Sequence, residues 1–168
     1  MAEELGLERS MLSGGLVSSN RTSYSTFCSS TPVVQTIHSR VSGLLGAHPP
    51  WFGGYESLQV VRYRAGQKFL AHMDSVPGSA FQESVHNRVA TCLIYLSSGF
   101  AGGETRFPCF GSGYTVTPEL GKAVLWFNHR ASDGSTLEPY AKHAGLEVLS
   151  GEKWVCTQWL KAGHYGSA

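Results

Sequence analysis

The sequence predicts a mainly β domain with flanking helices, arranged as an antiparallel sandwich or barrel, on three observations. Short runs rich in β-branched and aromatic residues recur from residue 58 onward, cut at regular intervals by Gly and Pro. Helical periodicity is confined to the first 45 residues. A length of 168 residues suits one hydrophobic core and is short for two, and no repeat, low-complexity run or linker divides it, so residues 1–168 read as a single domain.

Residues 3–11 read as the tail of one helix. A second helix is predicted over 31–45, where Val33, Val34, Ile37, Val41, Leu44 and Leu45 recur at three-to-four spacing. Strands are expected at 58–64, 68–73, 89–96, 113–117, 123–128 and 155–160, and the two glycines of 102–108 mark a turn entering another. Residues 146–149, the pair Ser150-Gly151 and residues 152–160 form a β-hairpin pattern. Two long polar stretches, 75–87 and 129–142, read as binding loops or lids, or as plain surface connections.

Composition removes several function classes. Apolar residues make up 42% and charged residues 15%, which argues against disorder. The formal charge is +1 with Lys and Arg scattered, so no basic stripe suggests nucleic acid, and no apolar stretch is long enough to suggest a membrane span. Residues 1–10 carry three Glu instead of a basic region followed by an apolar one, which does not read as a secretion signal. Cys28, Cys92, Cys109 and Cys156 are widely separated, as free thiols would be. Together these favour the cytoplasm, with the endoplasmic reticulum the alternative had a leader been removed; oligomeric state is not legible.

His72 and Asp74 stand two apart in a strand-like segment, so both project from one face. With seven His in 168 residues, a His-x-Asp arises by chance roughly one time in twelve, so the pair alone carries little. A two-histidine, one-carboxylate triad needs a third ligand. His143, just before the hairpin, is the candidate, and His129, at the end of an apolar run, is its competitor. By strand parity Lys153 shares a face with Val155, Thr157 and Trp159, the inward face of a barrel. A buried ammonium requires an anion, supplied either by a protein carboxylate such as Glu104 or by a dicarboxylic cosubstrate.

The segment from Tyr63 through Gly66-Gln67-Lys68 to His72-Met73-Asp74 strongly resembles prolyl 4-hydroxylase catalytic domains, which are Fe(II)/2-oxoglutarate-dependent dioxygenases. Arg21-Thr22-Ser23, 56–63, 88–96, 102–108, 121–128 and 143–159 follow the same family in order, including the ten-residue step from His143 to Lys153. The resemblance implies a double-stranded β-helix, the cupin-like jelly roll. His72, Asp74 and His143 would hold Fe(II), while Lys153 and Tyr63 would bind 2-oxoglutarate. It implies O2 as oxidant, ascorbate as activator, and a proline-rich peptide as partner, hydroxylated at proline C4 with release of succinate and CO2. Arg88 and Trp159 match groove positions. Phe69 matches a substrate-contacting position where many relatives have Tyr, and Lys161 replaces a frequent His, so both bear on specificity. Met1 falls inside the family's first helix, so an amino-terminal strand is expected to be missing. The competing readings are the same chemistry on another peptide residue or a free amino acid, a non-catalytic jelly-roll binding domain, and a zinc hydrolase. The intact triad with a buried lysine argues against the last two.

Overall fold

The computed structural model describes residues 6–11, 18–29, 31–46, 52–75, 88–130 and 136–162. Its strands are β1 (Glu8–Arg9), β2 (Tyr24–Cys28), β3 (Phe52–Tyr55), β4 (Leu58–Arg64), β5 (Phe69–His72), β6 (Arg88–Tyr95), β7 (Ala101–Gly102), β8 (Thr105–Phe107), β9 (Tyr114–Val116), β10 (Ala123–Phe127), β11 (His143–Gly145), β12 (Val148–Ser150) and β13 (Glu152–Ala162). Among the described residues one helix, α1 (Pro32–Leu44), precedes most of them, and one 3-10 turn covers Pro139–Ala141.

A seven-stranded sheet runs β1-β2-β4-β13-β6-β10, with β3 also paired to β13, and a four-stranded sheet runs β5-β11-β8-β9. Both are antiparallel throughout, and β12 pairs with β7. Strand alternation separates two apolar layers. Val61, Tyr63, Tyr95 and Val155 pack inward against Phe69, Val116 and Val148 from the opposite side, so the two sheets form a sandwich of jelly-roll type. Residues of the other parity, Leu58, Val60 and Cys156, face outward and are covered by α1 through Val34 and Ile37.

The helix forms where the periodicity predicted it, with clear stop and start chemistry. Thr31 caps it, its side chain accepting a bond from the Val34 amide at 3.3 Å; Pro32 begins it, and Gly46 follows it with a φ of 73°. Val34 and Val41 are buried against the sheet, each contributing on the order of 2 kcal/mol. Val33 and Leu44, counted in the same apolar stripe, face solvent instead.

The six expected strands are present within a residue or two, except that β13 begins at Glu152, earlier than the run at 155–160. The expected turn at Gly102 and Gly103 is also present, with φ of 73° and 70°, and leads into β8. Two expectations are corrected. Residues 146–160 form no β-hairpin, because β12 pairs with β7 while β13 pairs with β3, β4 and β6. Among the described residues of 3–11 there is no helix; Glu8 and Arg9 pair with Ser25 and Tyr24, and Ser10 donates to the Ser23 carbonyl at 3.0 Å. Sheet pairing satisfies this short segment's backbone groups, whereas a one-turn helix would have to carry its own nucleation cost. Of the two long stretches, 75–87 and 129–142, residues 76–87 and 131–135 lie outside the described residues. All four cysteines are free thiols, and no helix among the described residues is long and apolar enough to cross a membrane.

Candidate metal centre

His72 ends β5 and His143 begins β11, and the two are direct cross-strand partners. Pairing two histidines across adjacent strands brings their rings to a centroid distance of 4.3 Å. Asp74 lies just past the end of β5, in a bend, so it reaches the same point by a turn of the chain and not by strand parity. The His72 Nε2 lies 3.6 Å from Asp74 Oδ1, and the His143 Nε2 lies 3.7 Å from Asp74 Oδ2. One ligand atom from each of the three residues falls within 4.8 Å of the others, the only such group of three among the described residues.

The donor set fits an intermediate divalent cation. The Leu70 carbonyl lies 2.8 Å from His72 Nδ1, and the Ala141 carbonyl lies 2.9 Å from His143 Nδ1. A carbonyl can only accept, so each Nδ1 carries the proton and each Nε2 presents a lone pair to the centre. Burial pulls the His143 pKa down, against the attraction of Asp74, which favours the neutral imidazole that a ligand must be. Burial opposes ionisation of Asp74, but His143, His72 and a hydrogen bond from Thr91 outweigh it and hold the carboxyl well below the usual range.

Support for Asp74 reaches deeper than the sequence suggested. Thr91 Oγ1 donates to Asp74 Oδ2 at 2.8 Å, Asn128 Nδ2 donates to Thr91 Oγ1 at 2.9 Å, and Trp126 Nε1 donates to Asn128 Oδ1 at 3.1 Å. Thr91 and Asn128 are fully buried. Their orientation leaves Oδ1 free to ligate, as a one-toothed carboxylate in a facial triad requires. The only prior signal for Thr91 and Asn128 was their membership of two predicted strands. His129, the competing ligand, is buried away from the triad with its Nε2 2.8 Å from Ser75 Oγ.

Lys153 is 2% exposed, and its Nζ donates to the Gly103 carbonyl at 2.5 Å. Among the described residues no carboxylate lies within ion-pair distance of it; Glu104 acts only through space, so the suggested internal partner does not neutralise it. Burial pulls its pKa down to about 8, with Glu104 opposing. A Cβ placed on Gly145 would lie 4.0 Å from this ammonium, and Gly145 is two residues, roughly 7 Å, along β11 from His143. Tyr63 lies beneath Lys153, whose Nζ is 5.2 Å from the ring centroid. Burial pushes the Tyr63 pKa up despite the nearby Arg21, so its hydroxyl keeps a proton to donate at neutral pH.

His72, Asp74, His143, Tyr63 and Lys153 line one cavity of about 790 Å³, together with Phe69, Arg88 and Trp159. Arg88 is held by both Glu56 oxygens, at 2.7 and 2.9 Å, and lies 3.5 Å over the Trp159 ring. The buried Trp159 Nε1 has no hydrogen-bond partner among the described residues. Lys161, by contrast, is a half-buried residue paired with Arg88 and Gly54 in the sheet and does not line the cavity.

Two packed antiparallel sheets with a two-histidine, one-carboxylate cluster between them define a facial-triad protein of jelly-roll fold. The model of the 2OG-Fe(II) oxygenase superfamily matches residues 58–161, and the chain belongs to that superfamily. Its chemistry uses Fe(II), 2-oxoglutarate and O2. Prolyl 4-hydroxylase 2 of Arabidopsis thaliana is 35% identical over 165 residues, covering 86% of this chain and 54% of the relative. The α-1 subunit of prolyl 4-hydroxylase from Bos taurus is 40% identical over 136 residues, covering 77% of this chain and 24% of the relative. The chain thus spans about half the length of the plant relatives it matches. Among solved structures, the 2OG complex of the viral collagen prolyl hydroxylase of Paramecium bursaria Chlorella virus-1 superposes with a TM-score of 0.73 at 26% identity, covering 96% of this chain and 85% of that one.

Proposed function

We propose that this chain hydroxylates peptidyl proline at C4 in an extended, proline-rich segment, converting 2-oxoglutarate and O2 to succinate and CO2, with ascorbate keeping the metal reduced. The observation that carries this reading is a neutral-imidazole triad sharing a cavity with a buried ammonium that has no carboxylate counter-ion among the described residues. A zinc hydrolase or a pure binding domain gives no reason for that ammonium, whereas a dicarboxylic cosubstrate supplies the anion it lacks.

In this reading His72, Asp74 and His143 would hold Fe(II), and the bound metal would let O2, with 2-oxoglutarate as co-reductant, oxidise an unactivated carbon. Lys153 pairs with the far carboxylate of the cosubstrate, and Tyr63 donates a second hydrogen bond to it. The Leu70 and Ala141 carbonyls and the Thr91 hydroxyl fix the ligands before any substrate arrives, so no reorganisation is needed at the moment of reaction. A polyproline segment is already extended and loses little entropy on docking. The stacked Arg88–Trp159 pair, which lines the cavity, is where such a segment would meet the protein.

The test is mass spectrometry of proline-rich peptides incubated with the protein, Fe(II), 2-oxoglutarate and ascorbate. The expected result is a gain of one oxygen atom on proline, matched by succinate. Succinate formed at the same rate with and without peptide, and no oxygen gained, rejects proline as the target; oxygen gained on another residue replaces it.

A further inference from the structure

Phe69 and His72 are three apart in β5, and strict alternation would put them on opposite faces. They are instead stacked, with ring centroids 3.6 Å apart and planes 16° from parallel. The cause is a register shift: His72 pairs with His143 and Phe69 with Gly145, so Leu70 and Ala71 together stand opposite Ala144 alone. A one-residue bulge of this kind reverses the side-chain phase and re-aims the residues beyond it. It has two products at the same imidazole. The bulge carbonyl of Leu70 takes the Nδ1 proton at the ring's edge, and the Phe69 ring covers the ring's face.

The other face of Phe69 is covered too. The Arg21 guanidinium lies 4.8 Å from its centroid, and Arg21 itself pairs with Phe69 across an isolated bridge. Arg21 is buried and fixed by the Gln59 side chain at 2.9 Å, Ser23 Oγ at 3.3 Å and the Met11 carbonyl at 3.2 Å. The result is a three-layer stack of guanidinium, phenyl and imidazole, anchored at its far end in the major sheet. An imidazole held only at Nδ1 can still rock about that hydrogen bond, and a flat ring against its face removes that freedom.

We propose that Phe69 is a positioning residue for the metal ligand His72, setting the plane of the imidazole through the stack that Arg21 backs. This gives the phenylalanine a task that does not depend on a phenolic hydroxyl, and a tyrosine at the same place would perform it equally. The proposal rests on the assignment of His72 as a metal ligand, which His72→Ala tests separately.

The experiment is a Co(II) titration followed by visible absorption, in the absence of cosubstrate and peptide, on the unsubstituted protein, Phe69→Tyr, Phe69→Leu and Phe69→Met. Phe69→Tyr is expected to bind Co(II) within about twofold of the unsubstituted protein with the same ligand-field bands, and Phe69→Leu about tenfold more weakly with shifted bands, the usual loss when support behind a metal ligand is removed. Phe69→Met keeps the bulk without the flat face, so it covers the case in which the leucine variant folds poorly, and it is expected to follow leucine. Aliphatic variants that match the unsubstituted protein in affinity and spectrum overturn the proposal, as does a tyrosine variant that weakens as much as they do. Undiminished Co(II) binding by His72→Ala instead overturns the metal site itself.

Discussion

Replacing Lys153 with Met should stabilise the cosubstrate-free protein and weaken 2-oxoglutarate binding in the same molecule. Burial holds the Lys153 pKa at about 8, against an ordinary 10.5, and no carboxylate among the described residues pairs with it. Each tenfold change in proton affinity is worth about 1.4 kcal/mol, so the charged lysine costs the folded state about 3 kcal/mol at neutral pH. The folded value lies below the unfolded one, so between about pH 8 and 10.5 the unfolded chain binds more protons, and stability rises with pH across that window. Methionine fills a similar volume without the charge. The variant should therefore gain up to about 3 kcal/mol at pH 7, and the gain should fade toward pH 10.5. Removing the charge-assisted bond should cost about 1.5 to 3 kcal/mol of cosubstrate affinity, roughly ten- to a hundredfold. The assays are urea denaturation across pH without metal or cosubstrate, and calorimetric titration with 2-oxoglutarate on the metal-loaded protein. A variant no more stable at pH 7 refutes the claim of an uncompensated charge, and unchanged 2-oxoglutarate affinity refutes the assignment of that charge to the cosubstrate.

Three further outcomes are expected. His72→Ala and His143→Ala should each abolish metal-dependent succinate formation and remove Co(II) binding, with circular dichroism unchanged. Thr91→Val, which keeps the shape and removes the bond to Asp74 Oδ2, should weaken metal binding about ten- to a hundredfold, while Thr91→Ser restores it; equal affinity in the valine variant refutes the role given to the buried chain from Trp126. Val34→Ala, far from the cavity in the helix–sheet layer, should lower stability by about 1 to 3 kcal/mol in urea denaturation and leave the 2-oxoglutarate requirement unchanged.

Long elements that bury one face were legible in the sequence. The apolar spacing of α1 and the alternation in β4, β6 and β13 state their own periods, and parity along β13 alone put Lys153, Val155, Thr157 and Trp159 on the cavity side, where they lie. The triad needed more than local pattern, because His72 and Asp74 gain meaning only with His143, which is distant in the chain and adjacent only through the β5–β11 pairing. What stayed hidden was set by tertiary context. The strand at Tyr24–Cys28 is half polar, β7 has only two residues, and β1 forms only because β2 is beside it. The bulge at Leu70 and Ala71 has no Gly or Pro to announce it, and Thr91 and Asn128 look like ordinary polar strand residues until their burial is known.

The place of β13 bears on how the chain comes together as it is made. It comes after all of its neighbours in the chain, yet it occupies the middle of the major sheet, bonded to β4 on one side and β6 on the other. Until it leaves the ribosome, those two strands have a vacant slot between them, each presenting unpaired backbone groups along an apolar face. Closure of the sheet therefore waits for β13 to insert between partners made long before, a slow, non-local step during which the nascent protein is most open to wrong pairing. Because that same strand carries Lys153 and Trp159, the pocket for the cosubstrate comes into being only when the sheet itself is complete.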